Sequence, residues 1–314
     1  MEVRSELKMY KYFSTSAMDL VFQRDGHCGV KCSLPKDYND PYELFLGVDL
    51  SVSTECLATY REIVQQLPHF PTTCFSNSPI VSPMWAHYAQ SHSGFVLEFD
   101  VESLRDRFDE IEIRDVEYKE TPDPALAASL ERIAATKKPR HAIWLRQAVL
   151  TEAYFSKYKD WSYEQECRLV DRNRYVEKVA GNNILFIPSD CVSAMIVGSS
   201  FPENKKSHSK GVAAAHGIDW YQLCIGKSLP KPYLKSADDR VFVFESGKIS
   251  ESPGMCGNCS EPLLRGGELC AWCSISDSHA DEAARGNPFR VLDHFGLLEE
   301  YFSSVRNIEK RGKR

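Results

Sequence analysis

Four cysteines near the C-terminus constrain the fold of this chain more than any other feature. Cys256 and Cys259 are separated by two residues, Cys270 and Cys273 repeat this spacing, and ten residues lie between the pairs. Two such pairs predict a structural zinc site, because four thiolates complete a tetrahedral shell and leave no position for water. Glycines 266–267 predict that the chain returns as a hairpin. The alternatives are unrelated cysteines in a disordered tail and a redox dithiol.

The other seven of the 11 cysteines are dispersed through strand-like and helix-like segments. This dispersion favours free thiols in a reducing compartment over a secreted disulfide framework. Cys28 and Cys32 could form half of a second metal site, but no second close pair accompanies them. The sequence contains no run of about 18 apolar residues and no signal-peptide pattern at its start. We therefore expect a cytoplasmic protein without a membrane partner.

Strand-like and helix-like segments alternate without a regular βαβ repeat. This pattern predicts an α+β fold with a mixed, split β-sheet, flanking helices and a small C-terminal zinc ribbon. Two helices are expected at about 124–137 and 140–157, as a packed insertion. The expected domains are a main domain at 1–230, a linker at 231–252, a zinc ribbon at 253–276, and a C-terminal helix with a basic tail at 277–314.

The segment after the cysteines, FRVLDHFGLLEEYFSSVRNIEK, has the apolar spacing of an amphipathic helix. Such a face must be covered, either by the same chain or by a second subunit in a homo-oligomer. The net charge of −6 argues against a surface that binds nucleic acid throughout, although a local basic groove remains possible. The basic end, RNIEKRGKR, is interpreted as a solvated tail rather than a phosphate contact.

Several polar clusters occur together in the first 230 residues. They are MYKYFS, LPKDYNDPYE, TTCFSNS, SPMWAHYAQSHSGFVLEFD and KDWSYEQECRLV. As an ordered set they closely resemble an uncharacterised bacterial family, a domain of unknown function often found near mobile elements and phage-defence genes. The resemblance covers about residues 8–225 and implies no particular chemistry.

A more distant similarity, to ADP-ribosyltransferases, implies a chemistry. In those enzymes, three residues on three strands of a split sheet form the site: an Arg or His, then a Ser or Tyr, then a Glu, often within an ExE motif. MYKYFS, CFS and YEQECR follow this order, so Ser76 would take the middle position, Glu166 the catalytic one and Glu164 the first position of ExE. Lys11 or Tyr12 stands where the family has Arg or His, a departure that weakens the assignment of the ribose contact.

The carboxylates suit this chemistry because cleaving the bond between nicotinamide and ribose develops positive charge on the sugar. If Glu164, Glu166 and Arg168 lie on one strand, their side chains share a face. Arg168 could then hold a carboxylate or a ligand phosphate. The residues expected to bind the cofactor NAD are Lys11, Tyr12, His87 and Tyr88. For His87, a capping or core role is the alternative, and Tyr88, like Trp85 and Trp161, could simply be packed.

Three functions remain open from the sequence. The first is an NAD-consuming transferase that modifies a macromolecule, either protein or nucleic acid, as a toxin or phage-defence effector. The second is a magnesium-dependent nuclease or phosphoesterase using Asp40, Glu43, Glu164 and Glu166. The third is a non-enzymatic interaction protein, in which the Glu164, Glu166 and Arg168 side chains form an ion-pair ladder. Asn39, Asp40 and Glu43 also fit a structured turn and the start of a helix, which is the alternative to a catalytic role.

Overall fold

The computed structural model divides the chain into two compact units. The first unit comprises Met1–Ile225 and Lys231–Glu251, and the second comprises Gly226–Pro230 and Ser252–Arg314. The residues that the structure describes are 7–38, 48–172 and 175–312.

The first unit is built around a large mixed β-sheet. In chain order, the strands of the described residues are β1 Lys8–Phe13, β2 His27–Cys32, β3 Thr72–Ser76, β4 Phe95–Asp100, β5 Ile111–Asp115, β6 Glu117–Lys119, β7 Ser156–Tyr158, β8 Glu166–Asp171, β9 Glu177–Val179, β10 Asn182–Pro188, β11 Val192–Val197, β12 Asp219–Cys224, β13 Tyr233–Ser236, β14 Val241–Glu245 and β15 Lys248–Glu251. Ten of these form one sheet in the order β15-β14-β13-β12-β11-β4-β1-β3-β8-β5. Its neighbours are antiparallel except the parallel pair β11 and β12. The predicted α+β class with a mixed sheet is confirmed.

Two smaller sheets accompany the large one. Strands β2, β10 and β9 form an antiparallel sheet, and β6 pairs in parallel with β7. The end of β2 is joined to the start of β3 by two backbone hydrogen bonds between Ser33 and Thr72, of 2.8 and 2.9 Å. This link fixes β2 beside the large sheet.

Several of the helices begin at residues whose side chains cap them. Their ranges are α1 Met18–Val21, α2 Thr54–Gln65, α3 Ser82–Tyr88, α4 Val101–Arg107, α5 Pro124–Thr136, α6 Pro139–Phe155, α7 Glu203–His216, α8 Asp277–Arg285, α9 Pro288–His294 and α10 Leu298–Gly312. The Ser53 hydroxyl accepts from the Cys56 amide at the start of α2, and the Asp123 carboxylate accepts from the Ala125 amide at the start of α5. No helix of the described residues is long and apolar enough to cross a membrane.

Alternation along β1 places its side chains in two different cores. Met9 and Phe13 belong to the core on one face of the sheet, together with Phe95 and Leu97. Tyr10 and Tyr12, from the other face, pack in the core that contains α3. The predicted pair α5 and α6 packs with α2 in a third core, with Leu130 and Leu145 among its buried residues. The central strands of the large sheet are therefore buried on both faces.

The predicted linker at 231–252 is wrong. This segment forms β13, β14 and β15, which extend the large sheet from β12. Leu234 and Phe242 are buried in the same core as Tyr12 and α3. The Pro, Ser and charged residues that suggested a linker lie mostly in the turns between these short strands. The amino-acid composition of the segment reflects its turns. The strand that pairs with it, β12, lies earlier in the chain, so the composition of the segment does not reveal that it extends the sheet.

Truncation should distinguish the two boundaries. A chain ending at Glu251 is expected to stay soluble and to unfold cooperatively, because it keeps every strand of the sheet. A chain ending at Pro230 loses three strands and uncovers Leu223, whose side chain is fully buried. Each large apolar side chain left exposed costs about 1.5–3 kcal/mol. Urea unfolding followed by circular dichroism measures this, and equal midpoints for the two truncated chains would contradict the sheet boundary.

The predicted single C-terminal helix is instead three helices, α8 to α10. Between α9 and α10, Gly296 adopts a φ of 69°, in the left-handed region that glycine reaches without strain. Phe289 and Phe302 stack on each other with ring centroids 5.8 Å apart. Phe295 and Ile308 are nevertheless exposed. Exposure of these apolar side chains agrees with a face that a partner covers, and oligomerisation through this segment stays a prediction.

Candidate functional site

A cavity of ≈ 220 Å³ opens in the large sheet, beside β1, β3 and β8. Six of the residues predicted to form a site line it: Lys11, Tyr12, Tyr88, Glu164, Glu166 and Arg168. Lys31, Tyr38, Cys74 and Lys157 also line it and were not predicted. The structure therefore gathers most of the predicted site from segments far apart in sequence.

The strand arrangement explains where the cavity lies. β1 pairs with β3 at one register position, Tyr10 opposite Ser76, whereas β3 pairs with β8 along its whole length. The ladder between β1 and β3 is thus almost absent. The ammonium of Lys11 donates to the Cys74 carbonyl at 2.7 Å, so a side chain rather than the backbone connects the two strands. This is the split predicted for the sheet.

Two carboxylates and two cations meet at the floor of the cavity. The Lys157 ammonium donates to Glu164 at 2.6 Å and to Glu166 at 3.2 Å. Arg168 donates to both oxygens of Glu166, from Nε at 2.8 Å and from Nη2 at 3.0 Å, and its Nη1 donates to the Tyr154 carbonyl at 2.8 Å. The Tyr88 hydroxyl donates to Glu164 at 2.6 Å. These four charged side chains, hereafter the charge cluster, are all buried.

Burial and charge act against each other in this cluster. Burial raises the pKa of Glu166, and the positive charge of Lys157 opposes that rise. For Lys157, burial disfavours the ammonium, but the charges of Glu166 and Glu164 outweigh it and raise the pKa above the usual lysine value. Lys157 therefore stays protonated near neutral pH and does not act as a base.

The sequence did not reveal Lys157. It lies in β7, directly after α6, and β7 pairs with β6 rather than with a strand of the large sheet. In the sequence, residues 156–160 read SKYKD, a polar run that also fits an exposed segment. A buried lysine is recognised only when its partners are known, because an unpaired ammonium would not remain in the interior.

The local structure around the glutamates differs from the prediction. Glu164 ends a 3₁₀ helix, Lys159–Glu164, and Gln165 has a φ of 46°. Only Glu166 and Arg168 lie on β8, where they share a face as expected. The two carboxylates converge because both bind Lys157, and not because they alternate on one strand.

Two predicted residues do not line the cavity. Ser76 is fully buried, and its hydroxyl donates to the Glu164 carbonyl at 2.7 Å, which ties β3 to the turn before β8. His87 lies on the exposed side of α3, with its ring near those of Tyr88 and Tyr163. Trp85 is fully buried, and its indole donates to the Pro79 carbonyl at 2.7 Å. Asn39, Asp40 and Glu43 lie outside the described residues.

The charge cluster is unlike a magnesium site. The ammonium of Lys157 lies between Glu164 and Glu166, at the place where a bridging divalent cation would have to bind. Among the described residues, the one grouping of potential metal ligands is the four cysteines. The carboxylate pair therefore does not support the nuclease alternative.

The four cysteine sulfurs of the second unit lie within 4.8 Å of one another. Cys259 Sγ and Cys270 Sγ are 3.7 Å apart, well beyond the ~2.05 Å of a disulfide bond. Two vertices of a tetrahedron with bonds of ~2.3 Å are about 3.8 Å apart, so the spacing suits a metal bound by thiolates. Backbone amides of residues 259 and 270 point at Cys256 Sγ and lower the pKa of this thiol to about 6. The arrangement could bind a metal ion such as zinc.

The backbone around the cysteines forms two short knuckles. The Ser260 amide donates to the Cys256 carbonyl at 2.9 Å, and the Ser274 amide donates to the Cys270 carbonyl at 3.0 Å. The predicted Gly-Gly hairpin has no strand ladder. The described residues here form an isolated bridge between Met255 and Pro262, and the Gly257 amide donates to the Glu268 carbonyl at 2.9 Å across the returning chain. Thiolate ligands rather than a strand ladder fix this segment, so the chain needs no regular hairpin.

Comparison with known proteins identifies one domain. Residues 84–169 match the family described as a protein of unknown function, DUF2971. The matched segment runs from α3 to β8 and contains Tyr88 and all four residues of the charge cluster, whereas Lys11 and the four cysteines lie outside it. No curated protein and no solved structure matches the chain. A domain of unknown function is thus confirmed for this segment, and the similarity to ADP-ribosyltransferases stays a hypothesis.

Proposed function

We propose that the cavity binds NAD and that the protein is an ADP-ribosyltransferase-like enzyme. In this reaction the nicotinamide–ribose bond breaks, and ADP-ribose passes to a macromolecular acceptor, either protein or nucleic acid. One observation carries the proposal. The three segments that the resemblance orders as MYKYFS, CFS and YEQECR form the neighbouring strands β1, β3 and β8 with the turn before β8, and Glu166 lines the cavity beside them.

The hydrogen bonds suggest different roles for the two carboxylates. A carboxylate offers about four acceptor positions, and Glu166 already uses three of them with Arg168 and Lys157. Glu164 uses two, with Tyr88 and Lys157. Glu164 therefore has more capacity to accept from ribose hydroxyls, while Glu166 supplies fixed negative charge beside the sugar. A preorganised charge stabilises the developing cation without reorientation during the reaction.

The cavity is too small for a whole dinucleotide. Sites for drug-sized ligands occupy about 300–1,000 Å³, so ≈ 220 Å³ suits one end of NAD. In the proposed function, the nicotinamide ribose enters and the rest of the ligand extends toward solvent. The aromatic walls, Tyr12 and Tyr88, offer faces for the nicotinamide ring.

Nicotinamide release from NAD tests the proposal. Glu164→Gln and Glu166→Gln each keep the size of the side chain and remove its charge, so each is expected to lower turnover at least about tenfold, or ~1.4 kcal/mol of transition-state stabilisation. Glu98→Gln is the matched control, because Glu98 is also buried but lies on β4 and bonds to Tyr10 and Ser193 instead.

The control separates lost chemistry from lost folding. Melting temperatures are measured on the same samples, so that a general destabilisation is recognised. Absence of nicotinamide release by the unmodified protein would refute the transferase, and so would equal activity in all three variants. In that case the charge cluster has a structural role, and the interaction protein becomes the better interpretation.

For the four cysteines we propose zinc as the metal, in a structural role. Four thiolates favour zinc over hard cations such as magnesium, and a shell closed by four protein ligands leaves no position for a reacting water. The proposal is supported by the short distances between the sulfurs and by the amides that stabilise the Cys256 thiolate.

A further inference from the structure

The cavity has two unlike walls. Its floor is the charge cluster, in which two cations and two carboxylates balance. A second wall is formed by β1, the end of β2 and the turn after it. It presents Lys11, Lys31 and Tyr38, and the centre of the Tyr38 ring lies 5.2 Å from the Arg168 guanidinium. Asp37 is the one described carboxylate that lines this second wall. The second wall therefore carries an excess of positive charge.

Neither lysine of this wall is neutralised. Lys11 donates to the Cys74 carbonyl and stands 5.7 Å from the centre of the Phe75 ring, but it has no ion pair with a described residue. Lys31 is exposed on β2, opposite Ile184 of β10, and likewise forms no ion pair with a described residue. An ammonium held at the split of the sheet without a carboxylate is available to a negative ligand.

Tyr38 adds a buried donor to the same wall. Its hydroxyl oxygen is inaccessible to solvent and makes no hydrogen bond within the described part of the chain. The neighbouring Thr72 hydroxyl instead donates to the Phe70 carbonyl at 3.2 Å. Burial raises the pKa of Tyr38, so the group stays protonated and can donate. A buried hydroxyl without a partner costs about 1–3 kcal/mol, which a bound acceptor would recover.

We propose that Lys11, Lys31 and Tyr38 form an anion subsite that receives a phosphate group of the ligand. The inference rests on the proposed function in assigning that phosphate to a nucleoside diphosphate sugar such as ADP-ribose. The ribose then faces Glu164 and Glu166, and the phosphate faces the two ammonium groups and the tyrosine hydroxyl. Lys11 lies on β1 of the large sheet and Lys31 on β2 of a small sheet, so the subsite is formed by residues of two sheets. The backbone hydrogen bonds between Ser33 and Thr72 hold these sheets together.

Calorimetric titration with three probes tests the subsite on the full-length protein. The probes are ADP-ribose, inorganic pyrophosphate and adenosine, which has no phosphate. ADP-ribose and pyrophosphate are expected to bind, and adenosine at least about tenfold more weakly than ADP-ribose. Raising the salt concentration should weaken the first two, because exposed charges are screened.

Single substitutions test which side chains of the subsite contribute to ADP-ribose binding. Lys31→Met should weaken ADP-ribose binding about tenfold, since it removes one charge-assisted contact. Lys178→Met is the matched control, because Lys178 is an exposed lysine of the same small sheet, on β9, that does not line the cavity. Tyr38→Phe removes only the hydroxyl, so it should weaken binding about three- to tenfold while leaving the melting temperature unchanged or higher.

The outcomes separate this inference from the proposed function. The subsite is wrong if neither ADP-ribose nor pyrophosphate binds, or if Lys31→Met and Lys178→Met bind ADP-ribose equally. Nicotinamide release together with such equal binding would retain the transferase and remove the subsite. Conversely, binding that depends on Lys31 and Tyr38 in a protein that releases no nicotinamide would retain the subsite and remove the transferase.

Discussion

Replacing Cys256 with serine is expected to remove the metal and unfold the four-cysteine segment. Purified protein should contain about one zinc per chain, because the four cysteine sulfurs lie close enough to one another to bind one metal ion. A serine hydroxyl is a poor zinc ligand, and Cys256 is the most buried of the four cysteines. The metal content of the variant should therefore fall below about half an equivalent per chain.

The effect is large because the apolar core of this segment is small. Its buried core consists of Cys256, Leu263 and Cys270. The free energy of zinc binding in comparable sites is about 10–16 kcal/mol, and zinc bound by these four cysteines would add to the folding free energy of the segment. Without the metal, residues 253–276 should become sensitive to proteases. Adding a chelator to the unmodified protein should produce the same sensitivity.

The sheet-containing unit provides an internal reference. It has its own extensive cores, so its unfolding transition should persist in Cys256→Ser. Cys224→Ser is the control, since Cys224 is a free thiol on β12 that is remote in sequence from the four ligands. Elemental analysis and limited proteolysis measure the outcome. An unchanged protease pattern in Cys256→Ser, at full metal content, would be incompatible with a structural zinc.

The second large effect is expected on breaking the charge cluster. Arg168→Met keeps much of the side-chain volume but leaves Glu166 with one cationic partner, and the Tyr154 carbonyl loses its donor. Removing one member of a buried ion pair costs about 3–5 kcal/mol, because the remaining charge stays buried. Urea unfolding should therefore show a lower midpoint with the slope unchanged.

An exposed ion pair provides the comparison for the stability change expected from breaking the buried charge cluster. Arg105 pairs with Glu102 on α4 at 2.8 Å, with both side chains about half exposed, so Arg105→Met should change stability by less than about 1 kcal/mol. Adding Glu166→Gln to Arg168→Met should recover part of the lost stability, since the uncompensated carboxylate is then gone. If Arg168→Met and Arg105→Met have the same small effect, the cluster contributes little to folding.

Local patterns in the sequence were sufficient for several elements. The spacing of Cys256, Cys259, Cys270 and Cys273 indicated a metal site because all four ligands lie within a short stretch, and the structure brings their sulfurs together. The helices near 124–137 and 140–157 are confirmed as α5 and α6, since caps and helical periodicity are local signals. A domain of unknown function was also expected, over about residues 8–225, and one was found at residues 84–169.

The tertiary structure decided the features that depend on distant partners. The segment at 231–252 is a sheet extension only because β12 is there to pair with it. Lys157 became part of the site only because α6 delivers it between Glu164 and Glu166. Ser76 does not line the cavity as predicted, because its hydroxyl donates to the Glu164 carbonyl. No sequence pattern reveals this contact.

The physical reason is the range of the interactions. Capping, helical periodicity and cysteine spacing involve residues a few positions apart, so the sequence determines them directly. Strand pairing, burial of charge and the shape of a cavity depend on which side chains the fold brings together. Their separation in the chain ranges from seven positions for Lys157 and Glu164 to 88 for Ser76 and Glu164. The charge cluster combines both, because the order of Glu164, Glu166 and Arg168 is local whereas the balancing charge of Lys157 and the opening between β1 and β3 are tertiary.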